Sequence, residues 1–75
     1  MSEYIQRVIV EKAELDIRAK ALSNFIGNNP IFEEVDEFEK ERMKVQSDIM
    51  WQYSEILGER ITAFEGHTSS ESSTK

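Results

Sequence analysis

The stretch EYIQRVIVEKAELDIRAKALSNFI, residues 3–26, decides the fold. Its apolar residues recur at alternating three- and four-residue spacings, the pattern of a helix that packs against another helix. This front face comprises Ile5, Val8, Lys12, Leu15, Ala19, Leu22 and Ile26. A second apolar stripe on the opposite side of the helix comprises Val10, Ala13, Ile17 and Ala21. One partner helix cannot bury both sides, so the pattern predicts several helical neighbours.

Lys12 interrupts the front face at a position that an apolar residue normally occupies. A polar residue there usually fixes the register or the number of packed helices, at some cost in stability. We expect a partly buried ammonium group paired with Asp16 or with a carboxylate of a neighbouring chain. Removing one member of such a pair leaves the other unpaired, so it should damage assembly before it damages ligand binding.

The ends of this first helix carry typical capping residues. The helix is predicted over about residues 3–26, with Ser2 as its N-cap. Gly27 is a candidate for the left-handed residue that follows many helices. Asn29 then caps a short helical turn over residues 30–35, which begins with proline.

A second helix is predicted from Asp36 to about Phe64. Its apolar residues recur every seven positions, with others on both shoulders, and cover an arc of about 200° around the axis. The central line and its shoulders are Met43, Met50, Leu57, Phe64, Tyr53, Ile49, Ile56, Trp51 and Ile61. Gly58 weakens this helix by about 1 kcal/mol relative to alanine, so we interpret it as permitting close packing.

The predicted fold class is all-α, with a two-helix protomer that forms an αα-hairpin over residues 1–64. Residues 65–75 have no apolar side chain and are rich in Ser and Thr, which predicts a disordered polar tail. A chain of 75 residues usually needs disulfides, a metal or partner chains for stability, and this one has no cysteine. We therefore predict a compact helical homo-oligomer.

The charge of the chain excludes some partners. A net charge of −6 argues against double-stranded DNA or an anionic membrane as the main partner. The acidity is concentrated in residues 33–41, which we interpret as a solvated face at the start of the second helix. No apolar run approaches the roughly 20 residues of a membrane span, and the N-terminus does not resemble a signal peptide. We expect the protein to act in the cytoplasm.

The sequence is a poor candidate for an enzyme. It has no cysteine, and its only histidine, His67, lies in the polar tail without a second ligand for a metal. The serines outside the tail are predicted at helix ends without a nearby base; they are Ser2, Ser23, Ser47 and Ser54. The carboxylates form a surface run, with no pocket to separate their pKa values for acid–base catalysis. We expect neither catalysis nor a cofactor.

A binding function is better supported. Tyr4, Glu11, Arg18 and Phe25 share one flank of the first helix. The ring of Tyr4 can stack on a base, and the guanidinium of Arg18 suits a phosphate. About 21 Å separates them along one helix, so they can converge on a small ligand only from different chains. The alternatives are interface packing for Tyr4, and for Arg18 an ion pair with Glu11 or with a carboxylate one turn away, Glu14.

Two motifs occur in order along the chain. The first is E-Y-x-x-R-V-x-x-E-K-x-E-L-D at residues 3–16, and the second is Q-Y-S-E-I-L-G-E-R-I at residues 52–61. Together they resemble the phage anti-CBASS cyclic-nucleotide sponges, small proteins that sequester the cyclic oligonucleotide signals of a bacterial anti-phage defence. The resemblance covers about residues 3–64. It implies an all-helical hexamer that holds its ligand intact in the cytoplasm of the infected host.

The resemblance also implies site residues. Tyr4 matches a tyrosine that packs on the bases of a cyclic dinucleotide between the first helices of two protomers. Arg18 or Lys20 occupies the region of a basic residue that meets the phosphate. Arg60 resembles an arginine that serves cyclic trinucleotides at separate sites, with Thr62 nearby. The alternative for Arg60 is a helix-terminal cation near two carboxylates, those of Glu55 and Glu59.

Two other hypotheses remain open from the sequence. A purely structural helical oligomer, or an accessory protein that binds another protein, explains every apolar stripe without a small ligand. An inhibitor of a host enzyme that uses the acidic run as a nucleic-acid mimic would instead depend on residues 33–41.

Overall fold

The computed structural model describes residues 2–69, with side chains described for residues 3–65. Helix α1 spans Ser2–Asn28, a 3₁₀-helix spans Pro30–Glu34, and helix α2 spans Glu37–Ser69. No strand occurs in this part of the chain. The predicted all-α class and the two-helix hairpin are therefore confirmed, and the two helices run side by side from a short turn.

Both ends of the turn are capped by side chains, and the cap predicted at Asn29 is confirmed. Asn29 Oδ1 accepts a hydrogen bond from the backbone N–H of Ile31 at 2.9 Å, which starts the 3₁₀-helix. Asp36 Oδ2 accepts hydrogen bonds from the N–H groups of Phe38 at 2.9 Å and Glu39 at 3.2 Å, which starts α2. These side chains satisfy donors that a helix start leaves unpaired.

The helix ends differ from the sequence prediction in two places. Gly27 lies inside α1 and outside the left-handed region, so its predicted role after the helix end is wrong. The N–H of Asn29 still donates to the carbonyl of Phe25 at 3.2 Å, so helical bonding continues past the glycine. Helix α2 continues past Phe64 to Ser69. Residues 70–75 lie outside the described part of the chain, as does the side chain of His67, and the disordered tail stays a prediction.

The core lies between the front face of α1 and the inner face of α2. Leu57 is completely buried there, and partly buried Met50, Ile61 and Phe64 pack beside it. On α1 the buried residues are Ile5, Val8, Leu15 and Ala19. Both seven-residue patterns are therefore confirmed as the surfaces that join the helices. Near the turn, Phe32 is also buried and meets Phe25 edge to face, with 6.0 Å between ring centroids.

Two serines belong to this interface, contrary to the helix-end positions predicted for them. Ser47 and Ser54 lie well inside α2 and are buried. The Oγ atoms of Ser47 and Ser23 are 3.1 Å apart, and the indole N–H of Trp51 donates to Ser23 Oγ at 2.9 Å. Ser54 instead donates to Asp16 Oδ1. The small polar side chains thus tie the two helices together at two levels.

Lys12 crosses between the helices as predicted, with Asp16 as its carboxylate partner. Its Nζ lies 2.8 Å from Asp16 Oδ2 and 3.0 Å from Ser54 Oγ, so the three side chains form a closed ring. A Cβ at Gly58 would lie 3.2 Å from Lys12 Cε. The glycine therefore leaves room for the lysine stem, which confirms that it permits close packing.

The outer surfaces of both helices remain apolar and uncovered in a single chain. Ile17 in the second stripe of α1 is 70% exposed. The other exposed apolar residues on the helices include Val10, Val45, Ile49, Trp51 and Ile56. Across residues 2–69, neither helix is long and apolar enough to cross a membrane.

The Lys12 ring predicts a pH-dependent stability. Hydrogen bonds from Lys12 and then Ser54 lower the pKa of Asp16 below its ordinary value of 3.8. A lowered folded-state pKa contributes stability above the unfolded-state value, and this contribution is lost as pH falls through the folded-state pKa. We expect Asp16→Asn to lower the free energy of unfolding at pH about 7, and the deficit to close as the pH falls below about 4.

Chemical denaturation followed by circular dichroism, from pH about 7 down to pH about 2, tests the prediction. The matched control is Ser47→Ala, which removes an interhelical hydrogen bond with no ionisable partner. Its deficit should not depend on the ionisation of Asp16. A deficit for Asp16→Asn that stays constant across the range contradicts the role of the ionised ring.

Candidate functional site

A groove opens at the end of the hairpin opposite the turn, where the start of α1 faces the end of α2. Its volume is about 380 Å³. It is lined by Tyr4, Ile5, Val8, Arg60, Ala63 and Phe64. Ligand pockets are typically apolar with a few polar groups that fix orientation, and this groove has that composition. Tyr4 and Arg60 supply the polar groups.

Tyr4 and Arg60 are in direct contact across the helices. The Nη2 of Arg60 donates to Tyr4 Oη, and the guanidinium carbon lies 5.9 Å from the centroid of the tyrosine ring. Tyr4 remains 57% exposed, so part of the residue is accessible to a ligand. A guanidinium has five N–H donors, and the contact with Tyr4 uses one of them.

The described contact of Arg60 is with Tyr4 rather than with the carboxylates named in the alternative. Among the described ion pairs, none joins Arg60 to Glu55 or Glu59. The guanidinium is held over an aromatic ring instead, a geometry that positions it without neutralising it.

A second contact lies on the same flank, one heptad further into the hairpin. Tyr53 donates from its hydroxyl to Glu11 Oε2. Glu11 is seven residues after Tyr4 on α1, and Tyr53 is seven residues before Arg60 on α2. The two contacts are therefore about 10 Å apart along the helices. The hydrogen bond to Glu11 raises the pKa of Tyr53, burial and the Glu11 charge add to the rise, and the nearby charge of Arg60 opposes it.

The other predicted site residues do not reach the groove. Arg18 and Lys20 are exposed on later turns of α1 and do not line it. The expected alternative for Arg18, an ion pair with Glu11 or Glu14, is not among the described ion pairs. Thr62 lines a separate groove beside Lys12. Of the predicted residues, the structure thus brings together Tyr4 and Arg60.

Sequence reasoning missed the Glu11–Tyr53 contact and the pairing of Tyr4 with Arg60. The signal was present in the equal seven-residue spacings on the two helices. To predict these contacts, one must also know the register in which the two helices pack, and the pattern of a single helix does not contain that information. No group of three or more His, Cys, Asp or Glu residues that could hold a metal occurs within the part of the chain that the structure describes.

Comparison with known families matches almost the whole hairpin. A family model described as Sequestin matches residues 2–63. This chain belongs to the Sequestin family. The matched region of this Sequestin contains Tyr4, Glu11, Tyr53 and Arg60. The family name indicates sequestration, which is consistent with a sponge family. No curated protein and no solved structure matches the chain.

The Glu11–Tyr53 contact predicts a raised pKa for Tyr53. The chain has only two tyrosines, Tyr4 and Tyr53. In an ultraviolet absorbance titration we expect Tyr53 to ionise above its ordinary value of 10.0 because Glu11 accepts its proton in a hydrogen bond. Glu11→Gln should move this ionisation back towards lower pH.

The raised pKa of Tyr53 also predicts how the free energy of unfolding changes with pH. A raised folded-state pKa means that the contribution of the contact is complete below the unfolded-state pKa and is lost as pH rises through the folded-state value. Tyr4→Phe leaves a single ionisable tyrosine and assigns the shifted step. If that step is unaffected by Glu11→Gln, the contact does not control the ionisation.

Proposed function

We propose that this protein is a phage-encoded sponge that binds cyclic dinucleotides, and cyclic trinucleotides as a second ligand class, without cleaving them. By lowering the free concentration of the signal in the cytoplasm of the infected bacterium, it suppresses CBASS signalling. One observation carries the proposal: in a Sequestin-family chain, an exposed tyrosine ring and a guanidinium are fixed together over an apolar groove.

The chemistry of the groove suits a cyclic nucleotide. A base stacks on the ring of Tyr4, and the free N–H donors of Arg60 bind a phosphate oxygen. Contact with Tyr4 restricts Arg60 before the ligand arrives, so less side-chain entropy is lost on binding. The proposed role of these side chains is to bind the ligand without breaking a bond in it, so the ligand is expected to be recovered intact.

The direct Tyr4–Arg60 contact changes how the implied sites relate to one another. The sponge resemblance assigns Tyr4 and Arg60 to separate ligands, whereas here one groove contains both side chains. A cyclic dinucleotide stacked on Tyr4 therefore lies beside Arg60 of the same chain. Arg18 or Lys20 reaches its phosphates from the α1 helix of a neighbouring protomer.

The exposed apolar surfaces support assembly into a hexamer. Ile17 on α1 and Ile56 on α2 lie on surfaces that one chain leaves in water. Their burial between protomers contributes about 25 cal/mol per Å² of apolar area. The groove is open on one side, and a neighbouring α1 helix closes it in the hexamer.

The assembly is tested by sedimentation equilibrium. We expect a mass near six times the 8.7 kDa of the chain. Ile17→Glu should reduce this mass because it places a charge in the interface, whereas Gln6→Glu adds the same charge at an exposed polar position and should leave it unchanged. A monomeric wild-type protein contradicts the proposal.

The ligand is tested by calorimetric titration with a panel of cyclic di- and trinucleotides, followed by denaturation and recovery of the ligand. Tyr4→Ala and Arg60→Ala should each weaken binding about tenfold to a hundredfold, since stacking of a base on an aromatic ring contributes about 1–3 kcal/mol and a hydrogen bond to a charged group about 1.5–3 kcal/mol. Arg42→Ala is the matched control, because Arg42 is on the same helix and pairs with Glu39 at 2.8 Å, away from the groove.

The outcomes separate the candidate functions. Tight binding with intact ligand recovered supports the sponge. No binding by any panel member contradicts it and favours the structural oligomer, for which the exposed apolar surfaces are sufficient. The acidic-run inhibitor is less well supported, because Lys40 lies 3.2 Å from Glu37 and 3.9 Å from Glu33 and so partly neutralises the run.

A further inference from the structure

The carboxylate of Glu11 can compete with an anionic ligand for Arg60, since its contact with Tyr53 lies about 10 Å along the helices from the Tyr4–Arg60 contact. Glu11 lies on the same flank as Tyr4, about two helical turns further along α1. Arginine and glutamate side chains are long and flexible, and a guanidinium binds a carboxylate as readily as it binds a phosphate. In the structure this competition does not occur, because Glu11 accepts the hydroxyl of Tyr53 while Arg60 donates to Tyr4.

We propose that Tyr53 is a positioning residue that holds the Glu11 carboxylate away from Arg60, so that the guanidinium stays available for the phosphate of the ligand. This inference rests on the proposed function of the groove. It assigns Tyr53 and Glu11 a role in affinity although neither residue lines the groove.

The geometry supports this division of partners. Tyr4 and Glu11 are one heptad apart on α1, and Tyr53 and Arg60 are one heptad apart on α2, so the four side chains alternate along one flank. The charge of Arg60 acts on the Tyr53 hydroxyl, which places the two contacts within electrostatic range. Without the phenol hydroxyl, Glu11 needs another cation. Arg7, one turn away on α1, is paired with Glu3 at 3.7 Å, whereas Arg60 is the cation whose charge acts on the hydroxyl that Glu11 loses.

The size of the effect follows from the exposure of the groups. Glu11 and Arg60 are both exposed, and Tyr53 is 44% exposed. An ion pair between exposed side chains contributes at most a modest stabilisation, so breaking it before ligand binding weakens affinity about threefold to fivefold. This loss of affinity is smaller than the loss expected for Arg60→Ala, because Tyr53 affects the ligand only through the position of Glu11.

The test is a double-mutant cycle on the full chain, with affinity for a cyclic dinucleotide measured by calorimetry. Tyr53→Phe keeps the ring and removes the hydroxyl; we expect it to weaken binding about threefold to fivefold. Glu11→Gln should bind at least as tightly as the wild type. The double variant should regain the affinity that Tyr53→Phe loses, because the competing charge is gone.

A structural role for the contact gives a different result. If the hydrogen bond only supports the hairpin, Tyr53→Phe and Glu11→Gln weaken binding alike and the double variant shows no recovery, which overturns the proposal. Glu14→Gln is the matched control for loss of one negative charge on α1, and it should not rescue Tyr53→Phe.

A second measurement does not require a ligand. The NMR chemical shift of the Arg60 side-chain Nε–H reports its hydrogen-bond partner. We expect Tyr53→Phe to shift this resonance. In the double variant Tyr53→Phe/Glu11→Gln, the resonance should return to its wild-type position. If no cyclic nucleotide binds the wild type but this pattern is found, the sponge function fails while the competition between the carboxylate and Tyr53 stands. An unchanged resonance overturns the inference.

Discussion

The closed ring of Lys12, Asp16 and Ser54 sets the register on which the rest of the hairpin depends. An apolar interface between two helices can slide by one turn with limited loss of buried area, whereas a paired charge cannot be displaced without leaving a partner unsatisfied. Lys12 packs closely against Gly58, where a Cβ would lie 3.2 Å from its Cε atom, so any larger residue at that position would have to displace the lysine stem. The same register places Tyr4 opposite Arg60 and Glu11 opposite Tyr53. The polar cluster between the helices thereby determines which side chains meet at the edge of the interface.

The sequence predicts the helical pairing because apolar spacing is a local property that each helix carries by itself. The paired heptads, the Asn29 cap, the start of α2 near Asp36 and the Lys12–Asp16 pair could all be predicted in this way. Gly27 shows where local patterns fail to fix a helix end. Glycine is common just after helices, but here α1 continues to Asn28 before Asn29 adopts an extended conformation. Phe32 and the buried serines escaped prediction because their burial depends on which residues lie opposite them.

The candidate site depends still more on the register. Tyr4 and Arg60 could be proposed one at a time from their motifs, but 56 residues separate them, and no local pattern indicates that they touch. Arg18 and Lys20 show the converse case, since they share a helix with Tyr4 and remain outside its groove. Placing them at a ligand requires a second copy of the chain. The net charge of −6 likewise conceals a cationic position, because many acidic residues lie in the 33–41 run near the turn, at the opposite end of the hairpin from Arg60.

The Trp51–Ser23 hydrogen bond gives the protein a built-in optical probe. Trp51 is the only tryptophan, and its indole N–H bridges to α1 through a hydroxyl. Parting of the helices near the turn transfers that N–H to water and changes the polarity around the fluorophore. The emission of a single, naturally placed side chain therefore reports whether the hairpin is closed. Because Trp51 lies outside the Tyr4–Arg60 groove, this signal can be read without labelling or altering the candidate site.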